Sequence, residues 1–337
     1  MRRLNILLTA GSRRVALVQA FRAALRSMGV PGSVIVTDVN PLSPAVHVAD
    51  RSYRVPMATE DSYVTELLTI VEAERVSLVV PTIDDELPII AAARAEFRRA
   101  GAVVACSSQE VSALCNDKHA TCVRLIEGGV SAARSYLPAQ VSEDLPLPLF
   151  IKPRVGRGAV GAFPVRTYDE LDFFLRYVPK PVVQEYLDGP EFTIDVLCDF
   201  EGTPLSIVPR ERSVIRAGVT DRGRTVQDPR LIELAQAACA VLKFSGPINI
   251  QCRMRGDQPV IFEINPRFSG GIPLTIHAGA DFPAMLVRLA LGRKVEPAIG
   301  RFKEDLWMSS FEQSFFLDGE TLGFEPFGAE TRIGEVA

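Results

Sequence analysis

Three polar side chains alternate with apolar ones near the end of a predicted strand. Between Val260 and Arg267, the residues Glu263, Asn265 and Arg267 stand two positions apart. On an extended chain they therefore share one face. A carboxylate, an amide and a guanidinium that project together are costly to bury unless they hold a ligand. The alternative is an internal salt bridge between Glu263 and Arg267.

The chemistry of this set points to a divalent cation with phosphate. Carboxylate and amide oxygens suit Mg²⁺, which usually binds one or two carboxylates together with phosphate oxygens. Gln251 lies on the strand predicted to pair with this one and is a further oxygen donor. The three residues Glu263, Asn265 and Gln251 are therefore the predicted metal ligands.

A glycine-rich segment follows an apolar strand in the middle of the chain. Lys152 ends that strand, and Gly156, Gly158 and Gly161 follow it. Glycines let backbone N–H groups approach phosphate oxygens closely, and a lysine adds positive charge. The order is not that of a P-loop, in which the lysine follows the glycines and leads into a helix. The segment predicts a phosphate-binding hairpin, with a purely structural hairpin as the alternative.

Two further turns are candidates for contacts with a nucleotide. The residues from Gln184 to Leu187 end one predicted strand, and Glu191 begins the next. This crossing can offer backbone groups to a flat base and a carboxylate to ribose hydroxyls, or it can be an ordinary hairpin. The glycine turn 9–14 with Asp38 suits a dinucleotide-binding fold. Its glycine pattern is incomplete, so a structural turn is favoured there.

Apolar periodicity predicts two differently built regions. In the first, strands at 5–10, 33–37, 78–80 and 102–105 alternate with helices over 14–28, 63–74 and 86–100. This order is typical of a parallel sheet with helices on both faces. After residue 107, helices over 109–116 and 118–127 lead into a region made mostly of strands. It includes a hairpin of 248–253 with 260–264 and helices over 229–242 and 283–291.

Composition restricts the class of protein. The 337 residues predict two domains or three smaller lobes, and 47% hydrophobic with 23% charged residues is typical of a folded soluble protein. A net charge of −4 and the lack of a long apolar run predict neither a nucleic-acid nor a membrane partner. No signal peptide is evident at the N-terminus, and the six cysteines lack CxxC spacing. We expect a cytoplasmic protein with reduced thiols.

Taken in their order along the chain, these segments resemble the ATP-grasp superfamily, and within it the carboxylate–amine ligases that are similar to the large subunit of carbamoyl phosphate synthase. The resemblance spans about residues 5–291 and implies a mixed α/β and α+β architecture. It implies an ATP-grasp fold preceded by a Rossmann-like pre-ATP-grasp domain. The implied units are residues 1–112 (pre-ATP-grasp), 113–183 (central lobe), 184–305 (C-terminal lobe) and 306–337 (tail of unknown role).

The resemblance also implies roles for individual residues. ATP is expected to contact the lysines, the glycine loop, the adenine hinge and the ribose acid, which are Lys118, Lys152, Gly156, Gly158, Gly161, Gln184, Glu185, Tyr186, Leu187 and Glu191. Glu263, Asn265 and Gln251 are expected to hold two Mg²⁺ ions, with Mn²⁺ as the alternative ion. Arg267 and Lys152 are the implied catalytic residues.

The sequence gives weaker signals for the residues that bind the substrate. Its candidates are polar or small residues near the expected phosphates, namely Arg210, Arg212, Arg216, Ser269, Gly270, Gly271 and Glu86. Two arginines can clamp a carboxylate bidentately, and the alternative for them is a solvated, partly paired surface. Asp84 and Asp85, just before Glu86, are expected to cap the next helix.

The function implied by the resemblance is ATP-dependent ligation. A small carboxylate becomes an acyl phosphate and then joins an amine or ammonia, with release of ADP and phosphate. One alternative is a carbamoyl-phosphate-synthase-type half-subunit that uses bicarbonate with a separate amidotransferase (glutaminase) subunit. The others are a non-catalytic ATP-binding module and an NAD-dependent enzyme built on the N-terminal lobe. The family also implies a homodimer.

Overall fold

Three β-sheets organise the computed structural model, which describes residues 3–317 apart from positions 143, 157 and 217. The tail expected over 306–337 is thus described only as far as residue 317. Within this described part, no helix has both the length and the apolar character needed to cross a membrane.

The first sheet is parallel, as predicted, with strand order β3-β2-β1-β4-β5. Its strands are β1 (Asn5–Thr9), β2 (Val34–Asp38), β3 (Arg51–Arg54), β4 (Val76–Pro81) and β5 (Val103–Val104). Its helices are α1 (Val15–Ser27), α2 (Pro44–Val48), α3 (Tyr63–Ala73), α4 (Leu87–Ala92) and α5 (Arg94–Arg99). Strands β1 and β2 are buried along their whole length, as expected for a sheet covered on both faces. The edge strand β3 is exposed and polar, so it gave no apolar signal.

The single helix predicted over 86–100 is wrong. A 3₁₀ turn, Asp84–Glu86, leads into α4, and Ala93 separates α4 from α5. This turn lies at the carboxyl edge of the parallel sheet, beside the turn that follows β1. Open parallel sheets place ligand-facing loops at that edge.

The second sheet is small and antiparallel, with order β6-β9-β7-β8. Two helices, α6 (Gln109–Asn116) and α7 (Lys118–Glu127), precede it, as predicted. Its strands are β6 (Ser135–Tyr136), β7 (Leu149–Pro153), β8 (Phe163–Val165) and β9 (Pro181–Glu185), with α8 (Tyr168–Tyr177) between the last two. Strand β9 crosses the expected domain boundary at 183/184. The sheet has its own core, which includes Ile151, Leu171 and Val183.

The third sheet is antiparallel, with order β14-β13-β10-β11-β12-β15. Its strands are β10 (Glu191–Cys198), β11 (Pro204–Arg216), β12 (Val219–Thr225), β13 (Gly246–Arg255), β14 (Gln258–Asn265) and β15 (Trp307–Ser309). Its helices are α9 (Pro229–Leu242), α10 (Ile272–His277) and α11 (Phe282–Ala290). The predicted hairpin is confirmed as β13 and β14. Strand β15 pairs with β12, so the start of the expected tail belongs to this sheet.

One hydrophobic core joins the N-terminal domain to the third sheet. Phe21 of α1 lies edge-on to Phe268, with ring centroids 6.0 Å apart. Leu197 and Val208, from β10 and β11, belong to the same buried cluster. This packing holds the carboxyl edge of the parallel sheet next to the chain that follows β14.

Candidate active site

The end of β14 meets the end of β7 in a cleft between the second and third sheets. Gln251 lies directly opposite Glu263 in the β13–β14 ladder, which places both side chains on one face. Asn265 Nδ2 donates to Glu263 Oε1 at 3.1 Å. The Lys152 Nζ atom lies 3.9 Å from Glu263 Oε2. The predicted metal ligands are therefore adjacent, and a lysine from another sheet reaches them.

Lys152 is a buried cation at this point. Its side chain is 7% exposed, and its ammonium also lies over the ring of Phe262, 5.1 Å from the centroid. Burial lowers the pKa of Lys152, while the nearby Glu263 carboxylate acts in the opposite direction. A desolvated ammonium whose nearest carboxylate is 3.9 Å away is suited to receive further negative charge.

Lys118 approaches the same cleft from α7. Its Nζ atom donates to the backbone oxygen of Gly156 at 2.6 Å, so it contacts the glycine loop directly. Asp117 caps α7 by accepting from the N–H of Ala120, and it also pairs with Arg154. These contacts fix the start of α7 against the loop.

The glycine loop requires its glycines for their backbone conformation. Gly158 has φ +72° and Gly161 φ +69°, in the left-handed region that other residues rarely adopt. A Cβ atom on Gly218, at the tip of the β11–β12 hairpin, would lie 3.0 Å from the Gly158 Cα atom. The hairpin tip and the glycine loop are thus in close contact.

Arg267 is anchored to the N-terminal domain. Its Nε and Nη2 atoms donate to Asp84 Oδ2 at 3.0 and 2.7 Å, and Nη1 donates to the Phe268 carbonyl at 3.0 Å. The Glu263–Arg267 salt bridge, the alternative for this motif, is not formed in the described part of the chain. The expectation that Asp84 caps a helix is wrong, because its side chain binds Arg267 instead.

Arg14 is a site residue that the sequence analysis missed. Its Nη1 atom donates to the Ser269 carbonyl at 2.8 Å, and Nη2 donates to the Thr82 carbonyl at 3.2 Å. Burial lowers the pKa of Arg14 to about 9, the nearby Arg267 acts in the same direction, and Asp84 opposes it. An arginine directly after the glycine turn at the end of β1 was the available signal, because that turn lies at the ligand-facing edge of the sheet.

The residues expected to contact adenine (184–187) lie at and just after the end of β9, and Glu191, expected to contact ribose, begins β10. The Gln184 side chain is buried and contacts Cys122, with 3.3 Å between Nε2 and Sγ. Glu185 pairs with Arg134 and Arg255. The other hinge members are Tyr186, which is half-buried, and Leu187, which is buried.

The Glu191 carboxylate already has two cationic partners. It pairs with Arg212 and with Arg253, and Arg212 Nη2 also donates to the Gly218 carbonyl at 2.7 Å. Arg212 therefore connects the ribose candidate to the hairpin tip. Burial lowers the pKa of Arg212, and Glu191 opposes that change.

The three substrate-side arginines do not converge on one ligand. Arg210 is fully buried and binds Asp195 through Nε at 2.7 Å and Nη2 at 3.2 Å, and Nη2 also donates to Ser269 Oγ at 2.9 Å. Arg216 is exposed and pairs with Asp221 and Glu312. The expectation of an arginine clamp is corrected here: Arg210 belongs to the core, and Arg216 belongs to the surface.

The glycines that follow Arg267 leave room for neighbouring side chains. A Cβ atom on Gly271 would lie 2.4 Å from Arg210 Nη1, and one on Gly270 would lie 2.6 Å from a Val219 methyl carbon. These glycines are explained by close packing against β11 and β12. Ser269, between them and Arg267, is buried and contacts both Arg14 and Arg210.

The expectation that Glu86 contacts the substrate is corrected here, because Glu86 has a structural role. It is fully buried, Oε1 accepts from the N–H groups of Thr82 and Ile83, and Oε2 accepts from the Tyr63 hydroxyl. Burial raises the pKa of Glu86. All of these contacts lie within the N-terminal domain, where they hold the loop that carries Asp84.

A cavity of about 10 Å³ lies where the three sheets approach one another. It is lined by Asp84, Asp85, Cys115, Asn116, Lys118, Val155, Gly156, Glu263 and Asn265. Within the described residues, no group of three or more histidine, cysteine, aspartate or glutamate side chains is placed to bind a metal ion. Phosphate oxygens would have to complete the coordination of any Mg²⁺ at Glu263 and Asn265.

Two family models match separate parts of the chain. A model described as "ATP-grasp in the biosynthetic pathway with Ter operon" matches residues 178–314. A second model, described as "PylC-like, N-terminal domain", matches residues 6–105. The two matches cover the third sheet and the parallel sheet.

Curated relatives include carbamoyl phosphate synthase large chains. The arginine-specific large chain from Bacillus subtilis is 24% identical over 299 residues, which is 82% of this chain and 28% of that protein. This chain thus spans little more than a quarter of its length. An uncharacterized protein of Sinorhizobium fredii is 30% identical over 149 residues, 39% of this chain and 30% of its own length.

Solved structures share the fold at low sequence identity. Biotin carboxylase from Campylobacter jejuni gives a TM-score of 0.71 at 16% identity, over 90% of this chain and 74% of that one. N5-carboxyaminoimidazole synthetase from Staphylococcus aureus, complexed with ADP, gives 0.70 at 14% identity, over 88% and 80%. The three-sheet architecture is therefore that of the ATP-grasp fold.

Residues 178–314 thus match an ATP-grasp family model, and the chain is similar to large chains of carbamoyl phosphate synthase. The predicted fold class, an ATP-grasp fold with an N-terminal pre-ATP-grasp domain, is confirmed.

Proposed function

We propose that the chain is an ATP-dependent ligase that converts a small carboxylate into an acyl phosphate and joins it to an amine or ammonia. ADP and phosphate are the other products. The observation that carries the proposal is the meeting of Lys118, Lys152, Glu263, Asn265 and Arg267 in one cleft. These residues come from separate parts of the chain, and an ATP-binding domain with no chemistry to perform would not need all of them.

Phosphoryl transfer needs positioning and charge neutralisation rather than a reactive side chain. Lys118 and Lys152 are placed to neutralise phosphate charge between the second and third sheets. Arg267 extends from the end of β14 and is held by Asp84, so its guanidinium is oriented before a substrate binds. We assign it to the transferring phosphoryl group and to the acyl phosphate. The glycine loop would cover the phosphates and exclude water.

The residues at the end of β14 fit Mg²⁺. Glu263 and Asn265 would hold the ion or ions together with the ATP phosphates, and Gln251 faces the same side. Bound Mg²⁺ would neutralise the charge that develops on the phosphates. Two ions and the use of Mn²⁺ in their place are parts of the proposal, since oxygen ligands suit both metals.

The adenine and ribose contacts are also part of the proposal. The segment from Gln184 to Leu187 would contact the base, and Glu191 would accept from the ribose hydroxyls. Glu191 already receives N–H groups from Arg212 and Arg253. An ionised carboxylate has about four acceptor positions, so ribose can share it with the two arginines.

A coupled ADP-release assay with Mg²⁺ tests the proposal, with pooled small carboxylates screened against pooled amines. We expect ADP release that depends on one carboxylate pool and one amine pool. ATP binding in calorimetry without turnover in any pool would count for a non-catalytic binding module. Failure to bind ATP would contradict the assignment of the cleft.

A bicarbonate-using reaction is the second candidate, favoured by the similarity to carbamoyl phosphate synthase large chains. It predicts ADP release that depends on bicarbonate, with ammonia as the amine. A requirement for glutamine would indicate a separate amidotransferase subunit. Cytoplasmic location and a homodimer remain predictions, and light scattering of the purified chain tests the latter.

A further inference from the structure

Two charged side chains of the N-terminal domain face the end of β14 and are assigned no direct contact with ATP. Arg14 follows β1 and Asp84 follows β4, so both lie at the carboxyl edge of the parallel sheet. Arg14 contacts the chain two residues after Arg267, and Asp84 contacts Arg267 itself. The two side chains therefore lie beside the proposed phosphoryl-transfer residue.

Arg14 has unused hydrogen-bonding capacity. A guanidinium has five N–H donors, and Arg14 uses one on Nη1 for the Ser269 carbonyl and one on Nη2 for the Thr82 carbonyl. Both acceptors are neutral, and Arg14 forms no ion pair with the residues that the structure describes. Its positive charge is therefore held in place by the backbone but is not neutralised by a carboxylate of its own.

The charges around Arg14 favour an anionic ligand. Arg267 lies close enough to Arg14 to lower its pKa, and Asp84, which pairs with Arg267, opposes that change. Arg14 thus lies beside a second cation in a partly buried place, where electrostatic interactions are stronger than in water. A ligand carboxylate would stabilise the charge of Arg14.

Asp84 lacks a hydrogen-bond donor for one of its two carboxylate oxygens. Its Oδ2 atom receives both N–H groups from Arg267, but its Oδ1 atom is buried and has no hydrogen-bond partner among the described residues. A buried acceptor without a donor is costly. Asp84 lines the cavity that also contains Lys118, Glu263 and Asn265.

We propose that Arg14 and Asp84 form a subsite for an α-amino acid, with its carboxylate on Arg14 and its ammonium group on Asp84 Oδ1. This rests on the proposed ligase function and names the class of the amine substrate. Asp84, rather than Arg14, lines the cavity next to Lys118 and Glu263, so the amino group faces the place of the acyl phosphate. Asp84 would also position Arg267, since it binds both groups.

Matched ligands test the two contacts separately. We would measure ADP release by the full chain with MgATP, the active carboxylate pool and each of the proteinogenic L-amino acids in turn. The best amino acid is then compared with analogues that lack one group; for L-alanine these are ethylamine and propionate. We expect the amino acid to exceed the amine at least about tenfold in kcat/KM, in the range of one charged hydrogen bond. Propionate should compete only weakly.

Variants assign each preference to its residue. Arg14→Gln should raise the KM for the amino acid about 10- to 100-fold, leave the KM for ATP unchanged and remove the preference over ethylamine. Asp84→Asn should reduce the advantage of alanine over propionate in binding, beside any loss of kcat through Arg267. Arg13→Gln and Asp61→Asn are the matched controls, since both side chains are exposed, and they should behave as wild type.

Calorimetry separates this proposal from the ligase proposal. Amino acids are titrated into the full chain with Mg²⁺ and a non-hydrolysable ATP analogue, so the readout does not need turnover. ADP release with ammonia or simple amines, without amino-acid binding, would overturn the subsite and leave the ligase standing. Amino-acid binding that Arg14→Gln abolishes, without ADP release in any pool, would support the subsite and count against the ligase. Equal binding by wild type and both variants would mean that the amino acid binds without Arg14 and Asp84, and this would overturn the subsite.

Discussion

The buried Arg210–Asp195 pair and the cleft-facing Arg267–Asp84 pair use the same chemical groups in different surroundings. In the first pair both side chains are at most 1% exposed, and both carboxylate oxygens accept from the arginine. In the second pair the exposures are 13% and 11%, and a single carboxylate oxygen takes both N–H groups. In the second pair, Asp84 Oδ1 therefore remains available to accept a hydrogen bond.

The difference separates a structural ion pair from one that we propose to be functional. Asp195 also accepts from the Thr275 hydroxyl, and Arg210 also donates to Ser269, so the first pair ties β10 and β11 to the loop after β14. Arg210 Nη1 has no hydrogen-bond partner among the described residues, and it packs against Gly271. The second pair faces a cavity lined by the proposed phosphate and metal residues. Burial and residual hydrogen-bonding capacity, rather than residue type, distinguish the two.

The largest stability effect is expected in the first pair. Asp195→Asn would leave Arg210 buried with an uncompensated charge, and breaking such a pair costs about 3–5 kcal/mol. Urea unfolding followed by circular dichroism measures the loss, with the fully exposed Asp257→Asn as the control. A loss of less than about 1 kcal/mol would mean that this pair is not structurally important.

In the cleft, the largest effect should fall on activity instead. Glu263→Gln keeps the side-chain volume but removes the proposed metal-binding charge, so turnover should fall roughly 10²- to 10³-fold. The melting temperature should stay near that of wild type, because Glu263 is partly exposed and the ammonium of Lys152 is 3.9 Å away. Glu233→Gln, on the exposed face of α9, is the control. Full turnover in Glu263→Gln would contradict the metal assignment.

A smaller effect, on ATP affinity, is expected at Lys152. Lys152→Met removes a buried ammonium that we assign to the ATP phosphates, and calorimetry should show ATP binding weakened about 10- to 100-fold. Burial already lowers the pKa of Lys152, so the neutral side chain should not destabilise the fold. Lys294→Met, at an 83% exposed position, should bind ATP as wild type does. Unchanged affinity in Lys152→Met would remove this lysine from the site.

The smallest effect is expected at Glu86, in the domain that carries Asp84. Burial raises the pKa of Glu86 above its ordinary value of 4.5, so the stability that this group contributes is complete below that pH and is lost as the pH rises through the raised pKa. Glu86→Gln imitates the protonated form and should gain on the order of 1 kcal/mol at neutral pH. Melting curves from about pH 5 to about pH 8 should show the gain shrinking as the pH falls. A gain that does not change with pH would show that Glu86 is not protonated in this range.

Local patterns were enough to predict most of the elements. The fully buried β1 and β2 and the helix α9 were predicted within a few residues. Strand β3 and helix α8 were among the elements that were missed. The side chains of β3 are polar and exposed, so this strand has no apolar pattern, and α8 buries only Leu171 fully.

The site was predictable where its residues are close together in the sequence. Alternation along one strand brings Glu263 and Asn265 together, and the structure places them in contact. The roles assigned to Arg210 and Glu86 could not be judged in this way. Both look polar and accessible in sequence, and both are fully buried because the packing of neighbouring elements encloses them.

The sequence by itself determined most of the strands and helices and the spacing of the metal and phosphate motifs, because these follow from short-range periodicity. Only the tertiary structure decided that Arg14 reaches Ser269, 255 residues further along the chain, and that Asp84 holds Arg267, 183 residues away. Such contacts depend on how the parallel sheet packs against the third sheet through Phe21 and Phe268. That arrangement is set by the complementary shape of apolar surfaces distant in sequence, which no local pattern of residues contains.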